Sequence, residues 1–179
     1  MPTVLAILAD GFEEIEAFTP IDLLRRAGAQ VTVAACAEGI HLTGRSGITV
    51  HADTMLTAVA ANRFDCVFLP GGPGVKHLRA DPRVRNIVQQ HHADGKWIAA
   101  ICAAPTVLHD AGLLVGRRYT AHFSVAEELT AIRSGERVVS DGHILTSRGA
   151  GTAFEFGVLL LEKLFSPEKA LEISRSVCA

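Results

Sequence analysis

A chain of 179 residues with 49% hydrophobic and 20% charged side chains can bury a core as one domain over residues 1–179, without disulfides or metals. Its net charge of −2 and pI near 6.4 leave no electrostatic footprint for nucleic acid, and the basic pairs Arg25-Arg26 and Arg117-Arg118 stand isolated. Four cysteines, at positions 36, 66, 102 and 178, form no CxxC pair and no tight group with histidines, which argues against a disulfide framework and a zinc site.

Met1-Pro2-Thr3 leads straight into an apolar run with no basic leader, so export is not expected and the cytoplasm is the expected compartment. No apolar run is long and unbroken enough to span a bilayer. Val4–Ala9 reads as a strand buried on both faces and ends at Asp10-Gly11. Ile15, Phe18, Ile21, Leu24 and Ala27 then recur at helical spacing, with Gly28 as the stop. Val31–Ala35 is a second strand, and Gly39–Ala52 holds a strand pair split by glycine, the mark of a small antiparallel flap.

Asp65–Pro70 is a third buried strand and runs into Gly71-Gly72-Pro73-Gly74. Asp81-Pro82 opens a helix that turns Val84, Ile87 and Val88 inward and stops at Gly95, with His91 and His92 expected on its solvated end. Trp97–Cys102 is the fourth strand, and Arg118–Ala121 is strand-like and ends at His122. Arg137–Ser147 carries a hairpin signal at Asp141-Gly142. Phe154, Val158, Leu161 and Leu164 mark an apolar helix, and Ser166-Pro167-Glu168 opens a last one. The alternation predicts an α/β, flavodoxin-like doubly wound fold, a mostly parallel sheet with helices on both faces and a small antiparallel flap or edge.

Cys102 stands where the fourth strand gives way to Ala103-Ala104-Pro105. That is the pattern of a nucleophile elbow, whose flanking residues must be small so that strand and helix can pass closely; Ala100, Ala103 and Ala104 meet the demand. The other three cysteines read as small buried hydrophobes. A helix terminus contributes about 0.3–2 kcal/mol, which would lower a thiol from ~8.5 to about 7–8. A protonated carboxyl donating to the sulfur would complete the activation, and the two groups would titrate as a pair.

In open parallel sheets ligands bind beyond the carboxyl ends of the strands, near the point where strand order reverses. The loops Asp10–Glu16, Gly71–Gly74 and Cys102 all lie at such ends, so they converge if their strands are neighbours. Gly71-Gly72-Pro73-Gly74 lacks the GxGxxG spacing, Pro73 removes an amide, and no acid ends the next strand, so a dinucleotide site is not expected. His41, His51, His77, His109 and His143 are scattered and show no ligand spacing, so no metal is expected.

The strings GFEEIEA at the first strand end, LPGG at 69–72, AAICAAP at 99–105 and LTSRGAGTAFEF at 145–156 resemble the ThiJ/PfpI superfamily, nearest its Parkinson-protein, or DJ-one, branch, over essentially the whole chain. The resemblance implies Cys102 as the reactive cysteine, Glu16 as the carboxyl beside it, His122 as the nearby histidine, Gly71 and Gly72 as backbone donors on the pocket floor, and a homodimer. Ala103 stands where the protease-like branch has histidine, so protease activity is not expected. Phe123 follows His122 where the human-type branch has proline, and His51 lies where relatives can carry a second redox-active cysteine at the subunit contact, so that secondary chemistry is not expected.

Residues and resemblance together predict a cofactor-independent enzyme for small reactive aldehydes such as methylglyoxal, or for their glycated adducts, acting as a glutathione-independent glyoxalase or deglycase in carbonyl-stress protection. Cys102 would add to the aldehyde, Gly72 and Ala103 N–H would hold the alkoxide, and Glu16 and His122 would move protons. The alternative is a redox sensor or stress chaperone working through oxidation of Cys102.

Overall fold

In the computed structural model, which describes residues 1–179, the four expected strands are present and central. They are β1 (Thr3–Leu8), β2 (Gln30–Ala35), β6 (Cys66–Leu69) and β7 (Trp97–Ile101). Together with β5 (Thr54–Met55), β8 (Val138–Asp141) and β9 (Ile144–Ser147) they form a seven-stranded sheet in the order β5-β2-β1-β6-β7-β9-β8. Only the β8–β9 pair is antiparallel, and it closes one edge as the Asp141-Gly142 hairpin predicts. The flap is the separate antiparallel hairpin of β3 (His41–Thr43) and β4 (Thr49–His51).

The centre of the sheet is buried on both faces because β6 and β7 are apolar at every position and β1 at every position but Thr3. Val4, Ala6 and Leu8 of β1 face one core, while Leu5 and Ile7 face the other, the two-residue period of a strand. The first core is covered by α1 (Glu14–Arg26), α6 (Ala153–Leu164) and α7 (Pro167–Ser176). The second is covered by α2 (Leu56–Val59), α3 (Val75–Ala80), α4 (Pro82–Ala93) and α5 (Pro105–Asp110). Caps follow the sequence signals: Asp81 accepts from Arg83 N–H at the start of α4, and Ser166 accepts from Lys169 N–H at the start of α7. No helix is long and apolar enough to cross a membrane.

Several expectations are corrected. Arg118–Ala121 is not a strand, because both sides of β9 are already paired, with β7 and β8. The segment is held by side chains instead: Thr120 N–H donates to Thr146 Oγ1 at 2.9 Å, and its own hydroxyl to Glu136 O at 3.0 Å. Ile15 is exposed rather than inward, and the buried face of α6 is Phe156, Gly157, Leu160 and Leu161, with Phe154 and Val158 at its margin. His91 is buried, its Nδ1 2.8 Å from Ile87 O one turn back on its own helix. Of the three cysteines read as buried, only Cys66 is; Cys36 is half-buried and Cys178 exposed.

One helix contact bears directly on the site. At Gly157 of α6 a Cβ would stand 3.3 Å from Pro20 Cα and 2.6 Å from Leu23 Cδ1, both on α1. Absence of a side chain there lets α6 press α1, which carries Glu16, onto the sheet. Overpacking such a contact costs about 1–3 kcal/mol. Gly157→Val is therefore expected to lower stability by that amount in urea unfolding; an unchanged midpoint would show that the contact does not set the position of α1.

Candidate active site

Strand order reverses between β1 and β6, with β2 and β5 on one side and β7 and β9 on the other. The loops after β1, β6 and β7 meet at that reversal, as expected for an open parallel sheet. There a cavity of about 360 Å³ is lined by Glu13, Glu16, Arg45, Gly72, Pro73, Cys102, Ala103, His122, Ser124 and Ala150. A wider groove of about 700 Å³ lies elsewhere, beside Phe154 and Val158, and holds no cysteine or histidine. Chemistry, not size, picks out the smaller cavity.

Cys102 has φ of 66°, a left-handed conformation costly for a residue with a side chain. Its backbone is pinned on both sides: Cys102 N–H donates to Ser147 O and Cys102 O accepts from His122 N–H, each at 2.9 Å. Those two bonds join β7, the end of β9 and the His122 segment around one strained residue. The elbow read from the small flanking residues is thus present, and it turns the thiol into the cavity.

Glu16 lies in the first turn of α1 and is 2% exposed. The helix starts at the N-cap Glu13, whose carboxylate accepts from Glu16 N–H at 2.7 Å. Glu14 turns outward and accepts from Ser46 N–H at 2.8 Å on the hairpin turn. The three clustered acids therefore have three different tasks, and only Glu16 is directed at the sulfur. Glycine at 71 is required for that approach, since a Cβ would stand 2.5 Å from both Cys102 Cβ and Glu16 Oε2.

Gly71 N–H donates to Glu16 Oε2 at 3.0 Å, so this amide holds the carboxyl and is not free to receive an alkoxide. The amides facing the sulfur are those of Gly72 and Ala103, which favour its ionised form. Gly72 has φ of 93°, and a Cβ there would stand 2.6 Å from Gly11 O. The Gly71-Gly72 turn thus brings two consecutive amides to two adjacent acids.

Burial pushes the Glu16 carboxyl up to about 7, opposed by the hydrogen bond from Cys102 and then by the amides of Gly71 and Ala150, with the charge of Glu13 adding to the rise. Burial first, and then the Glu16 charge, push the Cys102 thiol up to about 12. The expected lowering by the helix terminus is outweighed, because α5 is only six residues long and begins three residues beyond the sulfur. The two acids lose their protons as a pair, one near neutrality and the other far above it. Through about pH 7 the pair passes from two protons to one, and above that point sulfur and carboxylate hold one proton and one negative charge between them.

His122 lines the same cavity, and its Cδ2 lies 3.4 Å from where a Gly149 Cβ would stand, with Glu16 Oε1 at 3.6 Å from that point. Ser124 N–H donates to His122 Nδ1 at 3.2 Å, and Ser124 Oγ lies 2.9 Å from the same nitrogen. A backbone N–H can only donate, so Nδ1 carries the lone pair and the neutral ring keeps its proton on Nε2. Burial, and then the charges of Arg148 and Arg45, hold the ring below its ordinary value and so uncharged at neutrality. Phe123 stacks on the ring with centroids 4.0 Å apart and is itself exposed.

The cavity thus gathers Cys102, Glu16, His122, Gly72 and Ala103 as expected, with Gly71 just behind Glu16. Sequence reading gave Glu13 no role and did not single out Arg45 or Ser124. An N-capping acid ahead of α1 was a readable signal for Glu13. Arg45 enters only because the β3–β4 turn docks on the loop after β1, which no local pattern announces.

The DJ-1/PfpI family model matches residues 2–163. Protein DJ-1 homolog A of Arabidopsis thaliana is 42% identical over 179 residues, covering 96% of this chain and 45% of the relative, so the chain spans about half that relative's length. The glutathione-independent glyoxalase DJR-1.2 of Caenorhabditis elegans is 34% identical over 93% of this chain and 90% of its own. The crystal structure of Drosophila melanogaster DJ-1beta superposes with a TM-score of 0.95 at 38% identity, covering 98% of this chain and 97% of that one. With the fold, the strained cysteine and the carboxyl beside it in one cavity, the chain belongs to the DJ-1/PfpI family.

Proposed function

We propose that this chain is a cofactor-independent enzyme that converts small reactive aldehydes such as methylglyoxal, free or as early adducts with amines and thiols, with Cys102 as nucleophile. The observation that carries the reading is the placement of Cys102 against Glu16 in one cavity, so close that a Cβ at residue 71 would stand 2.5 Å from both. A carboxyl with its ionisation near 7 is suited both to take a proton from a thiol and to return one to an alkoxide at neutral pH. The name of the nematode relative supports the same chemistry.

In the proposed cycle the Cys102 proton passes to the Glu16 carboxylate, and the amides of Gly72 and Ala103 stabilise the sulfur anion left behind. The total charge of the pair is unchanged, so no new charge is buried. Sulfur adds to the aldehyde carbon, and Glu16 returns the proton to the resulting alkoxide to give a hemithioacetal. Glu16 then removes the hydrogen from that carbon. His122, neutral with its proton on Nε2, donates a hydrogen bond to the neighbouring oxygen as the enediol forms, and reprotonation at the adjacent carbon leaves a thioester. Water hydrolyses it to the 2-hydroxy acid and restores the thiol, so one aldehyde and one water give one lactate from methylglyoxal.

The family resemblance also leads us to propose a second copy of this chain as a partner. Ile15 on α1 and Ile48 in the hairpin turn are 54% and 55% exposed, on elements joined by the Glu14–Ser46 bond, and they support that pairing. Light scattering is expected to give twice the 19.0 kDa chain mass, whereas a single-chain mass at working concentration would remove the dimer from the proposal.

The enzyme reading is tested by incubation with methylglyoxal without glutathione, following lactate. Wild type is expected to exceed Cys102→Ser by at least about 1,000-fold and Glu16→Gln by about 100- to 10,000-fold, the usual range for a positioned acid–base group. The wild-type rate is expected to rise with pH through about 7, as the pair loses its first proton. Lactate formation no faster than in Cys102→Ser would defeat the proposal.

A further inference from the structure

The segment that carries His122 and Ser124 into the cavity has little regular structure of its own: between the end of α5 and the start of β8 the chain forms one 3₁₀ turn, Phe123–Val125, and no other helix or strand. Leu129, 1% exposed, seats it in the second core and fixes its depth. Apolar burial has no direction, however, so it does not fix the angle of the segment. A polar contact does. Glu128 accepts from Arg79 on α3, Nη1 to Oε2 at 3.0 Å and Nη2 to Oε1. The same guanidinium holds Asp110 at the end of α5, Nε to Oδ2 at 2.7 Å and Nη2 to Oδ1 at 2.9 Å.

One cation therefore joins three elements that each lead out of the active site. Helix α3 follows the Gly71–Gly74 loop, α5 follows Cys102, and Glu128 lies six residues beyond His122. A lone exposed ion pair would contribute little. Here both carboxylates meet the planar guanidinium through two bonds each, the geometry that fixes direction as well as distance. Asp110 and Glu128 also bring one oxygen each to within 4.8 Å of the other. Without the cation those like charges would repel and drive the segment outward. We propose that Arg79 is a positioning residue for His122: it braces the segment behind the histidine against α5 and so holds the ring in the cavity. Its two partners lie 31 and 49 residues away in sequence, so no local pattern announces the brace.

The brace acts through the ring tautomer. Ser124 N–H donates to His122 Nδ1 at 3.2 Å and keeps the proton of the neutral ring on Nε2. When the segment loosens, that amide leaves Nδ1 and the ring divides between its two tautomers. Only the Nε2–H form can donate to the substrate oxygen in the proposed cycle, and it does so as the enediol forms, so the loss falls on kcat rather than KM. This kinetic consequence rests on the function proposed above; the tautomer and the order of the segment do not.

The test compares wild type with Arg79→Ala by ¹⁵N NMR of the His122 ring at about pH 8, where it is neutral, the signals being assigned by their loss in His122→Asn. Wild type is expected to show the Nε2–H tautomer alone and Arg79→Ala a mixture of both. Amide exchange of the peptide spanning 123–129 should quicken at least about fivefold in the variant, while that of β1 stays unchanged. With methylglyoxal, kcat should fall about tenfold and KM stay within about twofold. Arg79→Lys keeps the charge but not the two forks and should fall between. Glu128→Ala, which cuts only the arm to the segment and removes the facing charge, should shift the tautomer the same way and decides the matter if Arg79→Ala does not fold. A wild type that forms no lactate would remove the proposed function and leave the tautomer and exchange to decide the brace. The wild-type tautomer retained in these variants, or an unchanged kcat in Arg79→Ala of an active enzyme, would overturn the role of Arg79.

Discussion

Two acids that share a desolvated pocket cannot both ionise near neutrality, and the placement of Cys102 against Glu16 enforces that condition. The rest of the site serves the shared proton. Gly71 permits the approach and its amide holds one carboxyl oxygen, while Gly72 and Ala103 turn amides toward the sulfur. Remove the closeness of the pair and the thiol becomes an ordinary buried cysteine. Cys66 shows that state: in the middle of the sheet, fully buried, it is held far above the ordinary thiol range and has no acid partner to take its proton.

The scaffold supplies the rigidity that this arrangement needs. A left-handed conformation at Cys102 persists because its amide and carbonyl are fixed to β9 and to the His122 segment. Glu16 stays in place because Glu13 caps its helix and Gly157 lets α6 close over α1. These contacts lie on different elements, which is why the site sits where the strand order reverses rather than within any one motif.

Much of this was legible in the chain. The four strands are continuous apolar runs ended by Gly, Asp or a cysteine elbow, and their alternation with helices marks a parallel sheet, whereas the strand order that makes them neighbours is seen only in the fold. Small residues around Cys102 announced the tight turn before any contact was known. What local pattern could not supply was competition between elements. Arg118–Ala121 looks like a strand, yet β9, whose Thr146 side chain it meets, is already paired on both sides by β7 and β8. The phase of α6 is set by α1 and the sheet together, which moved the buried face onto Phe156 and Leu160. The direction of the thiol shift was also hidden, because helix-end polarity can be read from sequence whereas the depth of burial cannot. Arg79, Asp110 and Glu128 come from three segments and meet only in the fold.

The shared proton is most directly tested by the pH dependence of Cys102 alkylation with iodoacetamide, followed on the Cys102 peptide by mass spectrometry so that exposed Cys178 does not contribute. In wild type the rate should rise with a midpoint near 7, where the pair releases its first proton, and the midpoint should move upward in Glu16→Gln. A midpoint at the free-cysteine value of about 8.5, the same in both proteins, would contradict the account.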